Sequence, residues 1–368
     1  MTTPAPPPPN SRWAGVDAAR GLAIVGMIAA HTIPRPGGLG AEEYLVDGRP
    51  SLLFALVAGV SLGLVTGADA PPRGRRRSEL RLRIVIRALA LLAAGALLWL
   101  LPHGIAIILD YYGVMFLLLV PLLFLGRAWL AGVGVAVLAA APALRDAVVR
   151  AGAPQTEPLA TATDYLLTGW YPALLWVPVL VAGLLAARSG LQRPRVRAAL
   201  VAGGATASVA GYGAAALIDG LAPATRESLG LGEGAAAAHS GTVAELLGSG
   251  GLAAAVLGLL LVVLDPVDRA GAPRSAVRAV ALGLEPLRAL GRVALTVYVG
   301  HALVLAALSP LGGAGRFEGM LGWGILVVLV VAGVAVGLAC EALGRRGPLE
   351  AALTALSTLP ERRGRVPD

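Results

Sequence analysis

Four histidines, His31, His103, His239 and His301, are the residues of this chain best suited to chemistry. An imidazole takes up and returns protons near neutral pH, which fits general acid–base work or a proton relay. Asp17, Arg20, Asp110 and Tyr298 are the polar residues that could serve them. The most telling group is Asp17, Arg20 and His31, carried by the stretch RWAGVDAARGLAIVGMIAAHT, residues 12–32. A helix turns about 100° per residue, so positions eleven apart fall almost on one line. Arg20 and His31 are eleven apart, and Asp17 sits three before Arg20, roughly 60° away. The remaining faces are Ala, Ile, Val, Leu and Met. Ionisable groups inside an apolar span are costly and face a protein interior or a wet cavity.

The elements that must position these residues follow from composition. The chain has 368 residues, 57% hydrophobic and 14% charged, with mean hydropathy +0.76. A polytopic helical membrane protein fits these values and a soluble domain does not. A span needs ~20 apolar residues. Ten stretches qualify, near 13–32, 50–68, 82–101, 104–125, 128–144, 170–187, 197–217, 244–264, 290–309 and 320–341. The expected fold is therefore all-α with about ten transmembrane helices. Residues 12–345 would form the membrane domain, between a Pro-rich disordered tail (1–11) and a cytoplasmic tail (346–368). The Pro-rich start lacks the basic opening of a secretory signal, so the first span is expected to stay uncleaved.

Orientation rests on arginine, since all 30 basic residues are Arg. Alternating segments hold 23 Arg on one side and 6 on the other, with Arg20 inside a span. Positive loops stay inside, which places both termini in the cytoplasm and the protein in the inner membrane. The same placement argues against nucleic acid, because the Arg residues occupy short loops and aromatics do not interleave with them. Cys340 is the only cysteine, so no internal disulfide or thiolate metal site forms. In the second span, Gly59 and Gly63 form a G-x-x-x-G face that a neighbouring helix can approach closely.

On this topology all four histidines fall in the outer half. A single buried His is commonly just a hydrogen-bonded core residue; the shared depth favours a common polar cavity. Asp110 stands seven residues after His103 within an apolar run, two helical turns deeper and nearly on the same face. It would orient a His, receive Arg20, or stay protonated. Tyr298 precedes His301 by three, and an inter-helix hydrogen bond explains it at least as well as catalysis. Thr242 and Glu245 form a capping box that opens the eighth span beside His239, where a helix N-terminus suits an anion. There is no phosphate loop, no HExxH and no G-x-S-x-G elbow. The acidic cluster usual around a hydrolytic metal is missing as well.

At VDAARGLAIVGMIAAH the chain resembles the transmembrane acyltransferase superfamily, in which an Asp and an Arg-Gly open an apolar first span. Asp17, Arg20, Gly21 and His31 carry the likeness. GRPSLLFALVAGVSLGL resembles the next span of the heparan-α-glucosaminide N-acetyltransferase-like branch. ILDYYGVMFLL and LEPLRALGRVALTVYVGHALV resemble YeiB-like membrane proteins, the latter through Gly291, Arg292, Ala294, Leu295, Thr296 and Tyr298. The resemblance implies acyl-CoA, in particular acetyl-CoA, on the cytoplasmic side, an acceptor reached from outside, and a His in the pathway. It departs in one respect: the heparan-glucosaminide enzymes carry their essential His in the loop after the first span. Residues 32–50 here contain none, which leaves His31.

The resulting expectation is an acyltransferase acting on a hydroxyl or amine of an extracytoplasmic glycoconjugate, with His31 as general base. His31, Asp110, His239 and His301 are assigned to the catalytic group, Asp17 and Arg20 to donor binding, and His103 and Tyr298 to substrate binding. No metal is expected. The partners would be the bilayer, acyl-CoA and the acceptor, with a homo-oligomer left open. The rivals are a proton-coupled exporter of an envelope metabolite, disfavoured by the lack of an inverted repeat or a convincing pair of broken helices, and a non-catalytic membrane sensor.

Overall fold

The computed structural model describes residues 12–34, 45–228, 234–265, 274–311 and 320–358. The Pro-rich stretch 1–11 lies outside them. The described chain is all helical, with 77% helix and no strand among the described residues. The helices are α1 (Ala14–Thr32), α2 (Arg49–Val65), α3 (Arg75–Leu98), α4 (Leu109–Leu119), α5 (Arg127–Ala151), α6 (Leu159–Thr163), α7 (Ala173–Ser189) and α8 (Pro194–Asp219). They continue as α9 (Pro223–Ser228), α10 (Val243–Leu264), α11 (Arg274–Gly283), α12 (Glu285–Arg292), α13 (Ala294–Leu308), α14 (Met320–Ala342) and α15 (Pro348–Ser357). A π-helical turn, Asp164–Thr168, follows α6.

Each of the ten apolar stretches contains helix. Four helices, α5, α8, α10 and α14, are individually long and apolar enough to cross a membrane. The number rises to six if each of two bent pairs counts as one span. The difference has a physical basis. The long apolar helices α5, α8 and α14 are peripheral and turn residues such as Trp129, Val135, Val209, Leu217, Val328 and Val331 outward. Such a surface suits lipid. The inner helices α1, α2 and α7 are mostly buried and shorter. Shielded by protein, they tolerate polar groups and need not meet a full bilayer thickness with apolar surface.

The inner helices approach one another through small residues. Gly59 of α2 lies against the Leu180 carbonyl of α7, and Gly63 against Ala187, so the G-x-x-x-G face is used as its spacing predicts. The register rises together on both chains, which makes α2 and α7 parallel. Gly21 of α1 lies against the Leu287 carbonyl of α12, and Gly291 of α12 against the Asp17 carbonyl. A methyl group at either position would collide with backbone, so only glycine permits this contact.

Two helix pairs are sharply bent. The stretch Leu159–Thr168 meets α7 at 46°, and α12 meets α13 at 82°. Bent pairs of this kind were not expected from the sequence. The bend between α12 and α13 is secured from outside. Glu350 of α15 accepts hydrogen bonds from the backbone N–H of Leu295 (2.7 Å) and Thr296 (3.1 Å) and from the Thr296 hydroxyl (2.6 Å). These are the otherwise unsatisfied donors at the start of α13. The first part of the segment read as a tail is thus a helix docked on the bundle.

The two ends of the bundle differ in chemistry. The arginine end holds the start of α1 and the ends of α2, α7 and α10. There Asp265 caps α1 through the N–H groups of Ala14 (3.0 Å) and Gly15 (2.7 Å). Buried Arg197 closes α10 by donating to the Leu261 carbonyl at 2.9 Å. The histidine end holds the end of α1 and the starts of α2, α7 and α10.

Candidate functional site

His31 and His301 meet, although 270 residues separate them. Nδ1 of His31 lies 3.1 Å from Nε2 of His301, and the rings are parallel within 2°, centroids 5.4 Å apart. His301 is buried and His31 half-buried. The partners assign the protons. Nδ1 of His301 faces the Tyr298 carbonyl, which only accepts, so that nitrogen carries hydrogen. Nε2 of His301 is then the acceptor, and Nδ1–H of His31 donates to it. The lone pair of a neutral His31 is thereby placed on Nε2. One imidazole has its tautomer selected by a second, which is itself oriented by backbone.

Tyr298 supports this pair twice. Its carbonyl holds His301, and its ring packs edge-on against the imidazole at 4.9 Å. Its hydroxyl accepts from the Ile108 backbone N–H at 3.1 Å, tying α13 to the segment before α4. The inter-helix bond weighed from the sequence is therefore present.

Arg20 occupies the same face of α1 toward its other end. Its guanidinium donates to Asp17 (2.8 Å), to the Gly291 carbonyl (3.2 Å) and to the Ser61 hydroxyl (2.9 Å). It joins α1, α2 and α12, and Asp17 neutralises it. The polar stripe thus faces α2, α12 and α13 and not the lipid. Asp17 also meets Arg12 at 3.6 Å.

Asp110 is fully buried. One carboxylate oxygen accepts from Trp99 Nε1 (2.9 Å) and the Tyr165 hydroxyl (2.8 Å). The other, Oδ1, has no hydrogen-bond partner among the described residues. The expected helical alignment of His103 with Asp110 does not hold. α4 begins only at Leu109, because Gly104 adopts φ +70° and the chain from Leu101 to Ile108 is a turn. His103 lies inside that turn. Its Nε2–H donates to the Leu98 carbonyl (3.0 Å), and its Nδ1 accepts from the Ile105 N–H (3.2 Å). Burial holds its pKa below the ordinary histidine range, against the opposing pull of the bond to the Leu98 carbonyl.

His239 stands in a different setting. Its ring is edge-on to Tyr171 at 5.1 Å and stacked within 8° on Trp176 at 6.1 Å. Its backbone is left-handed at φ +62°, a conformation that costs a non-glycine residue about 1–2 kcal/mol. Glu245 helps to hold that turn, accepting from the His239 N–H (2.6 Å) and the Gly241 N–H (2.7 Å), while Thr242 Oγ1 caps the Glu245 N–H (3.0 Å). Thr242 caps Glu245 as the box predicts, and the Glu245 carboxylate bonds the N–H groups of the turn just ahead of the helix. Burial pushes the His239 pKa down.

Between Asp110 and His239 lies an aromatic cluster that the sequence reading did not single out. Tyr111 packs on Tyr165 (4.8 Å) and Tyr171 (5.7 Å), and its hydroxyl donates to Asp164 at 2.7 Å. The π-helical turn places Tyr165 on Asp110 and Asp164 on Tyr111. Such turns are rare and frequent at functional sites, but nothing in apolar periodicity marks one in advance. Among the described residues no three His, Cys, Asp or Glu side chains stand close enough to hold a metal.

Fold and site together describe a helical membrane protein with a paired-imidazole centre inside its bundle. A family model described as heparan-alpha-glucosaminide N-acetyltransferase, catalytic, matches residues 12–218. The chain belongs to that family, which suggests an N-acetyltransferase-type activity and use of acetyl-CoA. The matched region contains Asp17, Arg20, His31, His103 and Asp110; Tyr298, His239 and His301 lie beyond it. No curated protein matches the chain.

Proposed function

We propose that the protein transfers an acetyl group from acetyl-CoA to an amine or hydroxyl of a glycoconjugate, with His31 as general base. The observation that carries this reading is the ordered pair of imidazoles. A base needs its lone pair on a defined nitrogen, and the His301 contact selects Nε2 of His31. As the acceptor nitrogen or oxygen attacks the thioester carbonyl, Nε2 takes its proton. The tetrahedral intermediate then expels the CoA sulfur, which leaves with that proton. His301 acts as a positioning residue, and burial in an apolar bundle strengthens its hold.

On this reading the arginine end is cytoplasmic and the donor enters there. Asp17 and Arg20 lie on the donor side, Arg20 ~16 Å below His31 at about 1.5 Å per residue. Asp110, His239 and the tyrosines between them lie on the acceptor side, where a carboxylate and aromatic faces suit a sugar. Tyr298 and His103 shape the acceptor side through the turn before α4. The acceptor named by the family, a glucosaminide, is the first compound to test.

The test is CoA release by purified protein given acetyl-CoA and a terminal α-glucosaminide. Wild type should release CoA and His31→Ala should not. A His31→Ala protein with full transfer overturns the base assignment. If neither protein binds acetyl-CoA or releases CoA, the second reading, proton-coupled transport, takes precedence. The two bent helix pairs favour that second reading, since broken helices line the binding sites of many transporters.

A further inference from the structure

Arg188, near the end of α7, is 5% exposed. It donates to the Gly63 carbonyl (3.2 Å), the Thr66 hydroxyl (2.6 Å) and the Leu123 carbonyl (2.7 Å), and to the Ala68 carbonyl. All of these acceptors are neutral. Its Nε has no partner among the described residues. Arg77 lies over the same Phe124 ring, both guanidiniums within 6 Å of it. Among the described residues no carboxylate bonds Arg188, and a buried cation without a bonded counter-charge is costly.

Arg188 lines a pocket of about 280 Å³ at the arginine end, together with Asp69, Gly126, Arg127 and Arg193. Gly126 and Arg127 are the first residues of α5, whose start has no side-chain cap and no acidic residue in its first turn. A 25-residue helix therefore presents its positive end to the pocket with an arginine beside it. Such a helix start is a ready-made anion site. The pocket's one carboxylate, Asp69, is already shared by Arg193 (3.2 Å) and Gln192 (2.9 Å). Its volume falls just under the range of about 300–1,000 Å³ typical of sites for whole small molecules. A phosphate head fits that size and charge better than an entire ligand does.

We infer that this pocket, separate from the Asp17–Arg20 pair, binds a phosphate group. Two sources share that chemistry, the headgroup of an anionic lipid and the phosphates of a soluble ligand. The soluble arm, probed with acetyl-CoA, rests on the proposed transferase; the lipid arm does not.

The test uses the full chain in detergent. Affinity for phosphatidylglycerol against phosphatidylcholine is read by native mass spectrometry, and affinity for acetyl-CoA by equilibrium binding. The double variant Arg127→Gln/Arg193→Gln should weaken one of these by about tenfold or more, as expected for loss of charge-assisted contacts. Asp69→Asn should tighten the same one, because it removes the competing carboxylate. Loss in the lipid arm alone assigns the site to a headgroup, and loss in the acetyl-CoA arm alone to the donor. If the double variant fails to fold, Asp69→Asn decides by itself. Unchanged affinity for both probes in every folded variant overturns the site. A wild-type protein inactive in CoA release would undo the transferase reading and leave the lipid measurement standing.

Discussion

His31 and His103 lie toward the same end of the bundle and differ in what holds them. His103 spends both ring nitrogens on its own turn, donating to Leu98 and accepting from Ile105. His31 is held by another histidine from a distant helix. The contrast separates an imidazole held within its own turn from one held by a residue of another helix. Residue type and end of the bundle are shared; their partners distinguish them, and so does burial, since His103 is buried and His31 half-buried. His239 is a third case, wedged between Tyr171 and Trp176 on a left-handed backbone.

The largest expected effect breaks this contrast most directly. His31→Ala should lower acetyl transfer by about 10²–10⁴-fold, the usual contribution of a positioned base, well beyond the stability loss of about 1–3 kcal/mol from leaving the buried Nε2 of His301 without its partner. Steady-state CoA release and a thermal melt on the same preparation check both halves. A stability loss that accounts for the activity loss would make His31 a brace as well.

Gly21→Ala should come next. The added methyl forces α1 away from the Leu287 carbonyl of α12, at a cost of about 1–3 kcal/mol as for other overpacked sites. Because α12 leads into α13, the shift also moves His301 relative to His31. Transfer per folded molecule should fall along with the melting temperature, in contrast to Gly203→Ala in α8, where the added group meets no neighbour and the backbone is helical.

His103→Ala should show the opposite pattern to His31→Ala. It leaves the Leu98 carbonyl and the Ile105 N–H without partners, worth about 1–3 kcal/mol when buried. Denaturation should register the loss, and transfer per folded molecule should stay within a few-fold of wild type.

The smallest effect concerns pH. Burial lowers the pKa of His103 and of His239. Between those lowered values and the unfolded value of about 6.5, the unfolded chain binds more protons than the folded one. Stability therefore rises with pH in that window and falls as the medium is acidified below about pH 6.5. Each group contributes at most about 1.4 kcal/mol per pH unit. A melting-temperature profile from pH 7 to about pH 5 should slope downward on acidification, and His239→Gln should flatten it.

Much of this molecule was legible in its residues. Apolar stretches of sufficient length predict helices, and each of the ten contains one. The eleven-residue spacing of Arg20 and His31 predicts one shared face, and that face meets α2, α12 and α13. The spacing of Gly59 and Gly63 predicts a close neighbour, which is α7. These inferences succeed because they depend on the geometry of a single helix. The alignment of His103 with Asp110 failed by the same logic, because Gly104 keeps the intervening chain out of the helix.

What the sequence by itself determined is the helical membrane class, the inward polar stripe and the family signature of the first span. Tertiary structure alone decided which histidine meets which. Helical periodicity relates residues a few turns apart, and His31 and His301 are 270 apart. Their meeting depends on glycine contacts between α1 and α12, on the 82° bend after α12, and on Glu350 capping α13 from a helix near the end of the chain. Each is a long-range packing event with no local signal, so the pair that gives His31 its directed nitrogen exists only in the folded bundle.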